Sequence, residues 1–353
     1  MVRPLQPPFA DEGCREAVIE AEATLRLVSA LAGRAGRPEL ESVLSDPDLA
    51  LVFPAFGIPR RTGIEYLRAV GNPERLSALD EPGRAAVGYL SELVGRSEAI
   101  TALLGRLSAG EPDLAARAFK RTQEFLPAGC EQGEPRLVLL PLLYDCRTDR
   151  ETVYIDPLAA LALGPEGIRH TLSHELHHVA RYRLTGEALT LMRPGVRAPP
   201  RDARAAFVEW AAWLEAEGIA DCASNMTETD VPALRTAAMH RREQMATYET
   251  LLSEILGRFE EQAARSPVDP AGMEPLMADA LGLAHPLGCR MAGAVDAGLG
   301  RTALVECVGR PGTFLARYNE AARRASLTPV GKSFVGWLSP PHAGSHGIDA
   351  TDA

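Results

Sequence analysis

The sequence predicts a mostly α-helical α+β protein with one small β-sheet. Three observations lead there. Several long Ala-, Glu- and Leu-rich stretches repeat their apolar residues at helical spacing. A short apolar run, Arg136 to Tyr144, is followed after a polar turn by Thr152 to Ile155, the pattern of a hairpin. Elsewhere prolines and glycines punctuate helix-length segments rather than a series of strands.

Residues 1–10 carry Pro4, Pro7 and Pro8 and read as an extended lead-in. Glu12 to about Ala35 follows as an amphipathic helix with Val18, Leu25, Leu27, Val28 and Leu31 inward. Pro47, Pro54, Pro59 and Pro73 cut the next stretch into short pieces. Pro82 to Ser108 and Pro112 to Gln123 then predict two further helices. The region 1–130 reads as a helical lobe that walls one side of a cleft, or as a separate binding module. Region 131–225 holds the hairpin and the motif described below. In the hairpin, Pro141 cannot donate to a ladder, so its strand is expected at an edge or with a bulge. Region 226–325 is a C-terminal helical part that begins with a long helix from Met226 to Ala264. Its Met239, Met245, Leu251, Leu252, Ile255 and Leu256 are expected to face inward. Residues 326–353 turn to Gly, Pro, Ser and Asp and read as a flexible tail.

The chemistry concentrates at His174-Glu175-Leu176-His177-His178. Residues four apart on a helix stand one above the other, so His174 and His178 can offer two imidazoles to one metal ion. Glu175 would then lie within reach of a water molecule at that metal, as a general base must. Ile168, Leu172, Leu176 and Val179 form a separate apolar stripe on the same helix, and Gly164-Pro165-Glu166 suits its start. The bland alternative is a pair of ordinary core histidines. His170 and His177 read as neighbours of the ligands or as solvent-facing, and Tyr182 as a weaker candidate for contact with the reacting group. A third protein ligand is sought downstream, in Phe207 to Asp221. Glu217 fits, with Asp221 one turn on to hydrogen-bond a ligand histidine; Glu209 and Glu215 are its rivals. Trp210 and Trp213 line the same side, and a carboxylate facing them needs a partner. Between the two helices, Arg193-Pro194-Gly195 and Ala198-Pro199-Pro200 mark an irregular loop that could rim a cleft.

His-Glu-x-x-His followed by Glu217-Gly218-Ile219-Ala220-Asp221 resembles the gluzincin metallopeptidases. The particular forms are similar to a bacterial family of proposed zinc-dependent peptidases, best from about residue 136 to 325. The gap from His178 to Glu217 is longer than in thermolysin-like members. The resemblance implies a zincin-like, two-lobed metallopeptidase fold. In it Zn2+ would be held by His174, His178 and Glu217, Asp221 would stand behind the ligands, and Glu175 would be the base. It also implies an edge strand above the motif helix that holds an extended peptide; a buried hairpin without substrate contact is the alternative. His285, in Ala284-His285-Pro286-Leu287-Gly288, matches the family's aromatic-x-x-Gly place. There it would hydrogen-bond the oxyanion of a tetrahedral intermediate, or simply cap a helix. Two imidazoles and a carboxylate also hold other divalent ions.

The remaining composition narrows the class. A formal charge of -10 over 353 residues, with scattered arginines, argues against nucleic acid as the main partner. No segment approaches the ~18 apolar residues of a membrane span, and Met1 to Leu25 has no signal-type apolar core. Cys14, Cys130, Cys146, Cys222, Cys289 and Cys307 lack paired spacing and read as reduced thiols of a cytoplasmic protein. The expected partner is a peptide or protein substrate. A catalytically silent zinc-binding or interaction protein is the rival from another class, as is a structural metal in a helical protein; the oligomeric state is left open.

Overall fold

A computed structural model describes residues 19–33, 36–108, 114–130, 135–187, 200–225, 235–265 and 270–338. The elements run β1 (Ile19–Glu20), α1 (Glu22–Ala32), α2 (Arg37–Val43), α3 (Leu49–Val52), a 3-10 turn (Pro54–Phe56), α4 (Arg60–Ala69), α5 (Pro73–Ser77), α6 (Glu81–Gly95), α7 (Ser97–Ser108) and α8 (Leu114–Gln123). Then come β2 (Arg136–Leu139), β3 (Cys146–Asp149), β4 (Thr152–Ile155), α9 (Pro157–Thr185) and α10 (Ala203–Ser224). The chain closes with α11 (Arg235–Ala246), α12 (Tyr248–Ala264), α13 (Pro270–Gly282), α14 (Ala284–Leu299), α15 (Arg301–Val305), α16 (Pro311–Ala325) and α17 (Lys332–Trp337). The mostly helical α+β class is as the sequence predicts. Two compact units divide it: Met1–Arg197 with Ala223–Ala238, and Ala198–Cys222 with Met239–Ala353.

The first unit is built on a four-stranded sheet in the order β1-β2-β4-β3, parallel except for the β3–β4 hairpin. β2 is a continuous apolar run with Leu137, Val138 and Leu139 all buried, the signature of a strand covered on both faces. This revises the predicted hairpin. Arg136–Leu139 pairs in parallel with Thr152–Ile155, and the true hairpin partner is Cys146–Asp149. The sequence hid that strand because Arg147, Thr148 and Asp149 are polar, as suits an edge. Pro141 falls beyond the end of β2, so the ladder loses no donor.

Three helix boundaries also differ from expectation. Ile19–Glu20 pairs with β2, so the first helix begins only at Glu22; residues 12–18 lie outside the described residues. The segment 82–108 is two helices, because Arg96 (φ -102°, ψ 9°) leaves the helical path between α6 and α7. Thr247 (φ -99°, ψ 16°) likewise separates α11 from α12. Met239 is 52% exposed rather than inward, while Leu252, Ile255 and Leu256 are buried as expected. Residues 193–199 of the predicted loop, and residues 226–234, also fall outside the described residues.

Helix α9 packs on β3 and β4 and along α8. Its path is broken at Gly164 (φ 62°, ψ -178°), so the motif-bearing part starts at Pro165, as predicted. Ile168, Leu172, Leu176 and Val179 enter a single core whose members range from Ala23 to Val179.

In the second unit α10 is buried on nearly every side by Phe207, Trp210, Leu214, Ile219 and their neighbours, so it serves as a central helix. Phe207 meets Phe259, Phe334 and Trp337 at ring separations of 5.5, 4.8 and 5.6 Å. The last two belong to α17, in the stretch expected to be tail. Phe334 is 2% exposed, and Asn319 brackets the preceding turn through both the N–H and the carbonyl of Val330. The described part of residues 326–353 is therefore packed structure as far as Leu338.

Nothing lies within 4 Å of where a Cβ on Gly164 would stand, so alanine there would meet backbone strain alone. Gly164→Ala is expected to lower stability by about 1–3 kcal/mol in urea unfolding. An unchanged midpoint would show that the break tolerates an L side chain.

Candidate functional site

In the first unit the site is written on α9. His174 is 7% exposed, and its Nε2 lies 3.1 Å from Nε2 of His178, with the rings at 80°. Two imidazoles on one tetrahedral zinc, each at about 2.05 Å, hold their nitrogens about 3.3 Å apart. The pair thus has the bite of two corners of a zinc site. The apolar stripe of the same helix is spent on the core.

Glu175, between the two histidines in sequence, is also buried. Its Oε2 accepts a hydrogen bond from Thr148 Oγ1 on β3. Strand alternation explains the meeting. Cys146 and Thr148 face α9, and the Glu175 charge is among the causes, after burial, that push the Cys146 thiol up. Arg147 faces the other way, donating to Ala55 O at 2.8 Å and lying over the Phe56 ring.

His170 and His177 are both buried, which corrects the solvent-facing option. His170 Nδ1 meets the carbonyl of Ser224, in the last turn of α10. Removal from water holds the His170 ring below its usual pKa, and the fully buried His177 ring well below. Tyr182 is half-buried.

In the second unit the burial of α10 forces its acids to find partners. Glu215 accepts the backbone N–H of Gly309 at 2.9 Å, which commits it to structure. Asp221 accepts from Arg241 at 2.8 Å, and His285 Nδ1 lies 3.3 Å from its other oxygen. The same His285 nitrogen is 3.4 Å from Glu217 Oε2. Glu217, Asp221 and His285 are thus brought together within this unit, as His174, Glu175 and His178 are within theirs. Glu209 is half-buried. His285 sits in the first turn of α14, whose cap position is Leu283, so His285 is not the capping residue.

Two glycines make that cluster. A Cβ on Gly218 would stand 2.3 Å from Gly288 O, and one on Gly288 would stand 2.4 Å from Leu214 O. Only bare backbone lets α10 and α14 approach this closely. Sequence reasoning placed Gly288 only in the aromatic-x-x-Gly match of His285 and missed its contact with α10. It missed Thr148 and Arg241 as well: the first lay on an unrecognised strand, the second on a helix with many arginines.

The fold and these residues define a helical α+β protein with a His-Glu-x-x-His helix, and with two buried carboxylates beside a half-buried histidine in its second unit. Residues 61–326 match the model of the family described as "Putative zinc dependent peptidase (DUF5700)", and the chain belongs to that family. No curated protein and no solved structure matches it. Among the described residues no helix is long and apolar enough to cross a membrane.

The buried histidines set a pH dependence. Their folded pKa values lie below the ordinary 6.5, so the unfolded chain takes up protons that the fold refuses. Stability of the metal-free protein is expected to hold above about pH 6.5 and to fall as the pH drops below it. Urea midpoints measured from pH 8 to 5 check this, and a flat profile would count against it.

Proposed function

We propose that this chain is a zinc-dependent peptidase that uses water as its nucleophile and Glu175 as its general base. The observation that carries the reading is the 3.1 Å approach of the His174 and His178 Nε2 atoms on the one helix that also bears Glu175. Family membership supports it. The proposed ligands are His174 and His178 from α9, with Glu217 as the third. Zinc, when bound, supplies a Lewis acid that polarises the scissile carbonyl and makes water more acidic.

The chain's own groups do the rest. Glu175 removes the proton of the attacking water and delivers it to the leaving amine nitrogen, which would otherwise depart as an amide anion. His285, its Nδ1 side held by Asp221, offers Nε2 to the oxygen on which charge develops, a contact of about 3 kcal/mol in other hydrolases. Arg241 holds the opposite oxygen of Asp221 and so fixes that carboxylate beside the ring. The substrate is an extended peptide. β3 is the strand at one edge of the sheet, it packs on α9, and backbone pairing along such an edge tolerates many side chains. The free cysteines Cys130, Cys146, Cys289 and Cys307 agree with action in a reducing compartment, the cytoplasm.

Replacing Glu175 with Gln removes the base and leaves the imidazole pair intact. Glu175→Gln is expected to retain metal and fold while kcat on a peptide library falls by about 10²–10⁴-fold. Undiminished turnover by that variant would sink the mechanism.

A further inference from the structure

We propose that Thr148 is a positioning residue for Glu175, setting the direction of its carboxylate for proton transfer; the proposal rests on the peptidase reading above. Thr148 lies on the edge strand, opposite Val153 in the hairpin register, and its Oγ1 donates to Glu175 Oε2. The Glu175 backbone oxygen is also near, at 3.5 Å. A hydroxyl has one proton, and the nearer carboxylate oxygen takes it in preference to the more distant carbonyl.

The geometry does what a general base requires and a free glutamate side chain does not. Glu has three rotatable side-chain torsions, and its carboxylate would sweep several orientations over the helix. Thr is β-branched and stiff at its first torsion, and in a strand its side chain stands off the sheet. The hairpin fixes that torsion's backbone on one side, and α9 packed on β3 fixes the other. The bond occupies Oε2 and leaves Oε1 as the oxygen that receives the proton. Because the same strand is the proposed seat of the peptide, the carboxylate is aligned by the element that would align the substrate.

A purely structural Thr148 predicts something different: its loss would lower stability and leave chemistry alone. Thr148→Val keeps shape and removes the hydroxyl; Thr148→Ser keeps the hydroxyl. The first measurement is a double-mutant cycle on the metal-free protein with Thr148→Val, Glu175→Ala and the pair, read as urea midpoints. Non-additive shifts are expected, and strict additivity would overturn the bond and with it the proposal, whatever the peptidase assay shows. The second is steady-state kinetics on zinc-loaded protein. Thr148→Val is expected to lose about 10–100-fold in kcat with KM and zinc content unchanged, and Thr148→Ser to stay within about 3-fold of wild type. A Thr148→Val enzyme with wild-type kcat overturns the positioning role while leaving the peptidase reading intact. A wild type that binds zinc but cleaves no peptide overturns the peptidase reading, and the positioning role falls with it.

Discussion

The first unit depends on one buried carboxylate. Asp156 is 0% exposed and sits where β4 ends and α9 begins. One oxygen caps the helix by accepting from Leu158 and Ala159 at 2.8 and 2.9 Å, and the other accepts from Leu142 at 2.6 Å and from the Tyr89 hydroxyl. Four donors from α6, the turn after β2 and the start of α9 therefore converge on one side chain. Burial pushes its carboxyl pKa up, and the hydrogen bonds pull it back. Each donor left unpartnered in such surroundings would cost about 1–3 kcal/mol. Asp156 thereby ties α6 and the turn after β2 to the first segment of α9, which leads through the break at Gly164 to the motif-bearing part that packs on β3.

The second unit is governed by a different constraint. A helix sheathed in apolar side chains has no water to offer its acids, so its buried ones are assigned. Glu215 goes to a backbone amide, Asp221 to Arg241, and His285 stands by both Asp221 and Glu217. The Gly218 and Gly288 approach is what puts the first turn of α14 within reach of those carboxylates. Charge, not shape alone, is thus ordered here by close backbone contact.

What could be read from the sequence was whatever helical spacing dictates. His174 and His178 are four apart, and the structure brings their Nε2 atoms together; the apolar stripe from Ile168 to Val179 and the start at Pro165 followed from the same rule. Residues whose role comes from distant neighbours were not legible. Thr148 counts only because a polar edge strand folds over α9, and nothing in Cys146-Arg147-Thr148-Asp149 announces a strand. His170 and His177 look like exposed helix positions until Ser224 and the residues around Phe125 cover them. Phe334 sits in a polar, glycine-rich stretch, and only its contact with Phe207 shows that the chain there is packed.

The zinc site is the claim on which the functional account stands, and metal content tests it most directly. Wild type, a His174→Ala and His178→Ala double variant, and Glu217→Ala would be purified side by side, dialysed against zinc and weighed by native mass spectrometry. The account predicts one zinc per wild-type chain, none in the histidine variant, and weakened or absent binding in Glu217→Ala. Zinc retained by Glu217→Ala at full affinity would place the third ligand elsewhere; a wild type that binds no zinc would contradict the account as a whole.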